Sequence, residues 1–439
     1  MKKGLILLFM LAMVIILQAC ANDISGVVEM SDTLKTDSEI EDNGDSVFED
    51  HGVDDTIEAT DTLPSEHETD DNARGVAQES SGKVAIITLG NTEFEEIHSA
   101  QAMVEKHPGK VIHEVLPDDW WEEPDSIKTV VEKIAANQEV KALIVTSAVR
   151  GTNSAIEQLR KSREDILVIY GYIAEELNES ARMADVVLNR DFMKINYDIV
   201  RLAYEAGART FVHYAIEHHM SAPLLSARHD IFKYEAERLG MEFVFVELSN
   251  PFSFTSHEFI LEDVPRKVYQ YGKDTAFFGN TCAMQAGLIR ACLEEAAIFP
   301  LPCCPSPFHG FPVAFELDGF HLEVTKGVTR ARFDDPRHMV NRCFIQTTIE
   351  QINKKVVDAG MGGRFSTWRY ASGMLKTFVA VDYAFRWMVG ETNGRVDIDV
   401  LVELIESYTG PEADISLLEE DGVVYENYIL YTQPYIVFQ

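Results

Sequence analysis

The stretch that decides the fold is Lys83-Val84-Ala85-Ile86-Ile87-Thr88-Leu89-Gly90-Asn91-Thr92. Val84–Leu89 is an apolar run, broken only by Thr88, of the length expected for a strand buried on both faces. A Gly-Asn turn then leads into a helical pattern from about Thr92 to Lys106. The alternation continues outward. Val111–Leu116 reads as the second strand, and Asp125–Asn137 as a helix capped by Asp125 or Ser126. Ala142–Thr146 precedes a helix over Thr152–Lys161, Ile166–Tyr170 is a fourth strand, and Asp185–Leu188 is a short fifth. Continuous apolar strands alternating with helices predict a parallel, doubly wound sheet.

The same order then recurs. After a helix near Phe192–Ala206 come strand Thr210–Tyr214, helix Ser226–Leu239, strand Glu242–Glu247 and helix Leu261–Tyr271. Strand Thr275–Phe278, helix Cys282–Ala296 and strand Ile298–Leu301 complete the unit. First strand to third strand is 58 residues in one half (Val84 to Ala142) and 65 in the other (Thr210 to Thr275). Equal order at nearly equal spacing predicts two similar α/β lobes over 83–190 and 191–310, rather than one large mixed sheet. Asn189-Arg190-Asp191 reads as the crossover between them, with a second hinge expected at Phe308–Pro312. From Pro302 the pattern changes. Val313–Phe315 and Leu322–Thr325 read as short strands, followed by long helices over Pro336–Ala359 and Tyr370–Val389 and a strand-like tail, Val423–Phe438. Residues 311–439 are expected to supply crossovers and helices that complete the lobes. Gly360-Met361-Gly362-Gly363 is a helix stop before it is a phosphate cradle.

The chain has 439 residues with a formal charge of −34, and 46% of it is hydrophobic, enough for two packed lobes. Residues 20–82 carry nineteen acids against Lys35 and Arg74, lack an apolar period, and read as an acidic disordered tether. The remaining body is also strongly acidic, which argues against nucleic-acid binding. Residues 1–19 read as an export signal: Lys2 and Lys3, then an apolar run Gly4–Leu17 too short to cross a bilayer. It ends in Leu17-Gln18-Ala19-Cys20, which resembles the lipobox of bacterial lipoproteins and implies cleavage before Cys20 and lipid on its thiol. Five cysteines remain, Cys282, Cys292, Cys303, Cys304 and Cys343, with no Cys-x-x-Cys pair.

An exported, lipid-anchored chain of two α/β lobes resembles the type I periplasmic-binding-protein class, the solute receptors of ABC importers. Ser147-Ala148-Val149-Arg150-Gly151-Thr152 and Gly363-Arg364-Phe365-Ser366-Thr367-Trp368 further resemble uncharacterised lipoproteins of anaerobic bacteria with this fold. The resemblance implies fold and class, with no ligand attached.

In open parallel sheets ligands sit beyond the carboxyl ends of the strands, where helix N-termini present unpaired N–H groups. That rule nominates Asn91 and Phe94 after strand one, with core packing as the alternative for Phe94. Trp120, beside Trp121, follows strand two; Ser147, Arg150 and Thr152 follow strand three, and Tyr172 follows strand four. In the second lobe it nominates His218, Asn280, Thr281 and His309. Glu217, His218 and His219 make a poor metal set, because adjacent residues rarely reach one ion, and no further ligand set at metal spacing is evident. No cofactor is expected.

No Gly-x-Ser-x-Gly, Walker, His-Glu-x-x-His or Gly-x-Gly-x-x-Gly pattern occurs, and a Cys304–His309 nucleophile pair rests on spacing alone. The expected function is therefore non-enzymatic: a lipid-anchored receptor on the extracytoplasmic face of the cell membrane. It would capture a sugar, nucleoside or other ring compound and pass it to an ABC permease. A sensor for a membrane kinase, or a surface hydrolase or structural lipoprotein, are the alternatives.

Overall fold

The computed structural model describes residues 80–90, 94–117, 123, 125–217, 220, 223–248, 253–325, 328–334 and 342–439. The signal, Cys20, the tether as far as residue 79, Asn91, Trp120 and His218 lie outside the described residues, as does the side chain of Phe94.

In the first lobe β1 (Lys83–Thr88), β2 (Val111–Val115), β3 (Val140–Ala148), β4 (Leu167–Ile173) and β5 (Val186–Arg190) are parallel, in the order β2-β1-β3-β4-β5. Val84 lies opposite both Val111 and Ala142. Strand period two explains how these all-apolar runs serve two layers. Val84, Ile86, Ala142, Ile144, Leu167 and Ile169 face α1 (Phe94–Lys106) and α11 (Ser372–Val389). Ala85, Ile87, Leu143, Val145 and Val168 face α2 (Ser126–Ala136) and α3 (Thr152–Arg160), and α4 (Leu177–Met183) packs beside α3.

The second lobe repeats the arrangement. β6 (Thr210–Ile216), β7 (Glu242–Leu248) and β8 (Thr275–Gly279) are parallel in the order β7-β6-β8. Ile298 bridges to Ala276 and Phe299 to Phe365, so the sheet runs on to β11 (Ser366–Trp368) and antiparallel β14 (Tyr435–Val437). Phe211, Ala276 and Phe278 pack with α5 (Phe192–Glu205) and α6 (Pro223–Arg238). Val212, Tyr214 and Phe277 pack with α7 (Ser253–Tyr271) and α8 (Cys282–Glu295).

The chain passes between lobes at residues 190–191, 369–371 and 433–434. The last passage splits the tail: β13 (Val423–Thr432) joins β5 in parallel, antiparallel β12 (Asp414–Glu420) caps that edge, and β14 enters the second lobe. The first crossover falls at Asn189–Asp191. The hinge expected at Phe308–Pro312 does not form. Phe308 is buried against the rings of Phe320, Phe333 and Phe344, within the second lobe. Beyond it, Phe311–Phe315 is a short helix, α9, rather than a strand. Its aromatic side chains hold this segment in the core, which a hinge would have to expose.

The remaining elements are the hairpin β9 (Phe320–Thr325) and β10 (Val328–Phe333), α10 (Arg342–Asp358) and α12 (Ile398–Thr409). Gly360, at φ 71°, ends the turn after α10. Among the described residues no helix is long and apolar enough to cross a membrane.

Candidate functional site

Strand order reverses between β1 and β3 in one lobe and between β6 and β8 in the other, and the carboxyl ends at these switch points carry the polar residues of the cleft. On the first lobe the centre is Glu96, 2% exposed, in the first turn of α1. Thr146 Oγ1 donates to Glu96 Oε2 at 2.6 Å and Ser147 Oγ to Oε1 at 2.8 Å, while Lys376 Nζ of α11 pairs with the same Oε1. A buried carboxylate needs this many donors to offset its lost hydration. Gly171 makes room for them. A Cβ there would stand 2.3 Å from Thr146 O and 2.9 Å from Lys376 Cδ.

Glu95, the neighbouring residue, reaches the other lobe. Its Oε1 accepts a 2.7 Å hydrogen bond from Ser306 Oγ. Burial raises its pKa from 4.5 to about 7, against the opposing pulls of the Ser306 bond, His309 and Lys376, and with repulsion from Cys304. Two further contacts hold the lobes here: Ser372 N and Gln433 Nε2 both donate to Pro305 O, at 2.8 and 3.1 Å.

Ser306 sits in a loop of the second lobe that gathers four soft ligand atoms. The side chains of Cys282, Cys303, Cys304 and His309 bring their Sγ and ring-nitrogen atoms within 4.8 Å of one another. Cys282 Sγ is 4.0 Å from Cys304 Sγ, Cys303 Sγ is 3.9 Å from Cys304 Sγ, and Cys303 Sγ is 3.5 Å from His309 Nε2. Gln285 ties the two supporting loops together. Its Nε2 donates to Gly279 O and Thr281 O, and its Oε1 accepts from Cys303 N. Gly310, at φ 89°, lets the loop after His309 approach α8, where a Cβ would lie 2.8 Å from Gln285 Cβ. Contacts with Cys282 and Cys304, together with burial, push the Cys303 thiol well up from its ordinary pKa.

Two arginines flank the cleft. Arg228, 4% exposed, donates from Nε to Asn196 Oδ1 at 2.9 Å and lies 4.6 Å over the Phe192 ring. Burial lowers its pKa to about 10, while the thiols of Cys303, Cys304 and Cys282 pull it upward. Arg190, at the first crossover, stands 5.7 Å over the ring of Tyr172.

Several expected ligand groups serve the fold instead. The loop from Ser147 to Thr152 was to offer a helix N-terminus to an anion, but the protein fills it with its own carboxylate. Gly151 N and Asn153 N donate to Glu175 Oε1 and Oε2 at 2.7 and 2.8 Å. Arg150, exposed at the surface, acts electrostatically on that same carboxyl. Thr152 is fully buried, its hydroxyl bonded to Val149 O at 2.6 Å. Ser147 is bonded to Glu96, as described. Asn280 differs from these: it is 7% exposed, and neither its Oδ1 nor its Nδ2 has a hydrogen-bond partner among the described residues. Thr281 is the N-cap of α8, its hydroxyl accepting from Ala283 N. Tyr172 lies under the Arg190 guanidinium, and His309 joins the thiol cluster.

Sequence reasoning missed Glu95, Glu96, Lys376, Ser306 and Arg228, and it missed the thiol cluster. The available signals were the Glu95-Glu96 pair at a helix start after the first strand, and glycine inside the apolar strand Leu167–Ile173. The cluster draws Cys282 from one loop and Cys303, Cys304 and His309 from another, a separation that no short motif encodes.

A protein from Clostridium difficile 630, described as a transcriptional regulator, is similar in structure, with a TM-score of 0.70 and 20% identity over 82% of this chain and 99% of that one. A sugar ABC transporter protein from Actinomyces odontolyticus ATCC 17982 matches at a TM-score of 0.46 and 10% identity, over 72% and 86% of the two chains. In sequence, an uncharacterised protein of Treponema pallidum (strain Nichols) is 29% identical over 165 residues, 37% of this chain and 76% of that protein. The two lobes, their repeated strand order and their crossovers are those of the type I periplasmic-binding-protein fold. Residues 83–331 match the family described as a protein of unknown function, DUF3798, and the chain belongs to that family.

Proposed function

We propose that the protein is a lipid-anchored, extracytoplasmic solute receptor, which captures a small organic ligand between its lobes and delivers it to an ABC importer. The observation that carries this reading is the Glu95–Ser306 hydrogen bond between the lobes, at the carboxyl ends of both sheets. A contact that exists only when the cleft is closed gives a ligand bridging the lobes an equilibrium to shift. Tyr172 supplies a ring wall, and Arg190 supplies positive charge that suits an acidic group on a sugar, nucleoside or related ring compound. The role is binding rather than turnover. The lipobox at Cys20 supports the anchor, and with it the extracytoplasmic location.

Small-angle scattering and thermal shift on the purified protein, with sugars, nucleosides and their acidic derivatives, test the receptor role. One class should compact the protein and raise its Tm by several degrees. Tyr172→Ala and Arg190→Ala should weaken that response. Binding without compaction would refute capture between lobes. Cys20→Ser should abolish lipid labelling and membrane retention, and unchanged retention would refute the anchor.

A further inference from the structure

We infer that Cys282, Cys303, Cys304 and His309 form a tetrahedral zinc site that shapes the second lobe's wall of the cleft. The inference does not rest on the receptor reading, because all four ligands belong to one lobe.

The distances carry it. A tetrahedron with Zn–S bonds near 2.3 Å and a Zn–N bond near 2.05 Å has S···S edges of about 3.8 Å and S···N edges of about 3.6 Å. The protein shows 4.0 Å from Cys282 Sγ to Cys304 Sγ and 3.5 Å from Cys303 Sγ to His309 Nε2, and although Cys303 and Cys304 are chain neighbours, which rarely reach one ion, their sulfurs stand 3.9 Å apart and within 4.8 Å of the other two ligand atoms. Those sulfurs are also well beyond the roughly 2.05 Å of a disulfide bond, and Cys282, Cys292, Cys303 and Cys304 are free thiols. Three thiols and one imidazole form a donor set that favours zinc over magnesium or calcium.

Charge and support agree with the geometry. Zn²⁺ with three thiolates and a neutral imidazole carries one net negative charge, and the buried Arg228 guanidinium, which interacts with the thiols of Cys282, Cys303 and Cys304, supplies the compensating positive one. Cys282 opens α8, where the helix N-terminus favours a thiolate. Gln285 holds the Cys303 backbone and the loop before Cys282 in fixed relation, which limits the ordering that metal binding must impose. With four protein ligands the ion has no open position, so its role is to fix the Cys303–His309 loop. Ser306 lies inside that loop, and zinc would therefore set the position from which it reaches Glu95.

The test uses the purified full chain, reduced, stripped of metal by a chelator and titrated with Zn²⁺ or Co²⁺ alone. One equivalent of Zn²⁺ should bind per chain. Co²⁺ should give thiolate charge-transfer absorption and the intense visible bands of tetrahedral coordination. Zn²⁺ should slow alkylation of exposed Cys282 at least tenfold. Cys303→Ser and His309→Ala should each lower Zn²⁺ affinity by more than about 100-fold, and Arg228→Gln by about 10–100-fold, the range for groups that support metal ligands. Cys292→Ala, whose thiol is buried elsewhere against Ile298 O, should bind as the parent does. Because ligand variants can misfold, the alkylation and cobalt readouts on the unaltered protein decide independently. An unaltered chain that retains no zinc, gives no tetrahedral cobalt bands or leaves Cys282 equally reactive overturns the proposal. So does a Cys303→Ser variant that folds and keeps full affinity.

Discussion

Glu95→Gln should remove a pH dependence that the closed cleft imposes on stability. In the folded chain burial raises the Glu95 pKa from 4.5 to about 7, so between those values the folded state holds a proton that the unfolded state releases. Stability from this group is fully present below pH 4.5 and is lost as pH rises through about 7. A shift of that size corresponds to roughly 3 kcal/mol, at about 1.4 kcal/mol per pH unit. The carboxyl also lies over the first turn of α11, where a Gly373 Cβ would stand 2.6 Å from Glu95 Oε2. The positive end of that helix favours the anion by about 0.3–1 kcal/mol, leaving roughly 2–3 kcal/mol. Urea unfolding of the parent and Glu95→Gln proteins between pH 4 and 8.5 measures the difference, which should grow as pH rises in favour of the variant. Opening the lobes also returns Glu95 to water, so scattering at the same pH values shows whether the energy appears as opening or as unfolding. His309, Cys304 and Lys376 face the same carboxyl and are present in both proteins. Parallel pH profiles for the two proteins, with equal compactness, would refute the reasoning.

Three further outcomes follow from the first lobe. Lys376→Met leaves Glu96 buried without its cation and should cost about 3–5 kcal/mol in urea unfolding, with Glu96→Gln on the same chain recovering much of the loss. Glu175→Ala orphans the N–H groups of Gly151 and Asn153 and should cost about 0.5–2 kcal/mol by the same assay, with faster amide exchange at the start of α3. Gly171→Ala forces a methyl group against Thr146 O and the Lys376 stem and should cost about 1–3 kcal/mol, whereas an unchanged urea midpoint would show that β3 and β4 move apart freely.

The doubly wound lobes were legible because strands buried on both faces are written as apolar runs, and Val84 to Leu188 contains five of them at βα spacing. The second lobe was legible as a repeat of the first. Val313–Phe315 was misread as a strand because a short apolar run suits a strand or a buried helical turn equally, and burial of Phe311 and Phe315 decides for the helical turn Phe311–Phe315 in three dimensions. The cleft was legible only as a location. Loop position pointed to the ends of β1, β3 and β4, but it could not tell a ligand-facing group from one already satisfied. Thr152 meets Val149 O and the α3 N-terminus meets Glu175, partners that depend on tertiary packing. Glu96 and Lys376 are far apart in sequence, so their pairing had no local signature. The thiol cluster escaped for the same reason: chemistry drawn from two loops has no spacing to read.

The division of the tail between two sheets has a consequence for biosynthesis. β5 gains its second neighbour only when β13, roughly 230 residues later, has followed it out of the export channel, so an interval separates the appearance of the first lobe's strands from the closing of its sheet. Throughout it the apolar edge Val186-Val187-Leu188 stands unpaired, an invitation to a strand from a neighbouring nascent chain. The first lobe, though first to be translated, is thus among the last to be finished, and the yield of this protein should respond to holdase chaperones acting in that window more than to the stability of the completed fold.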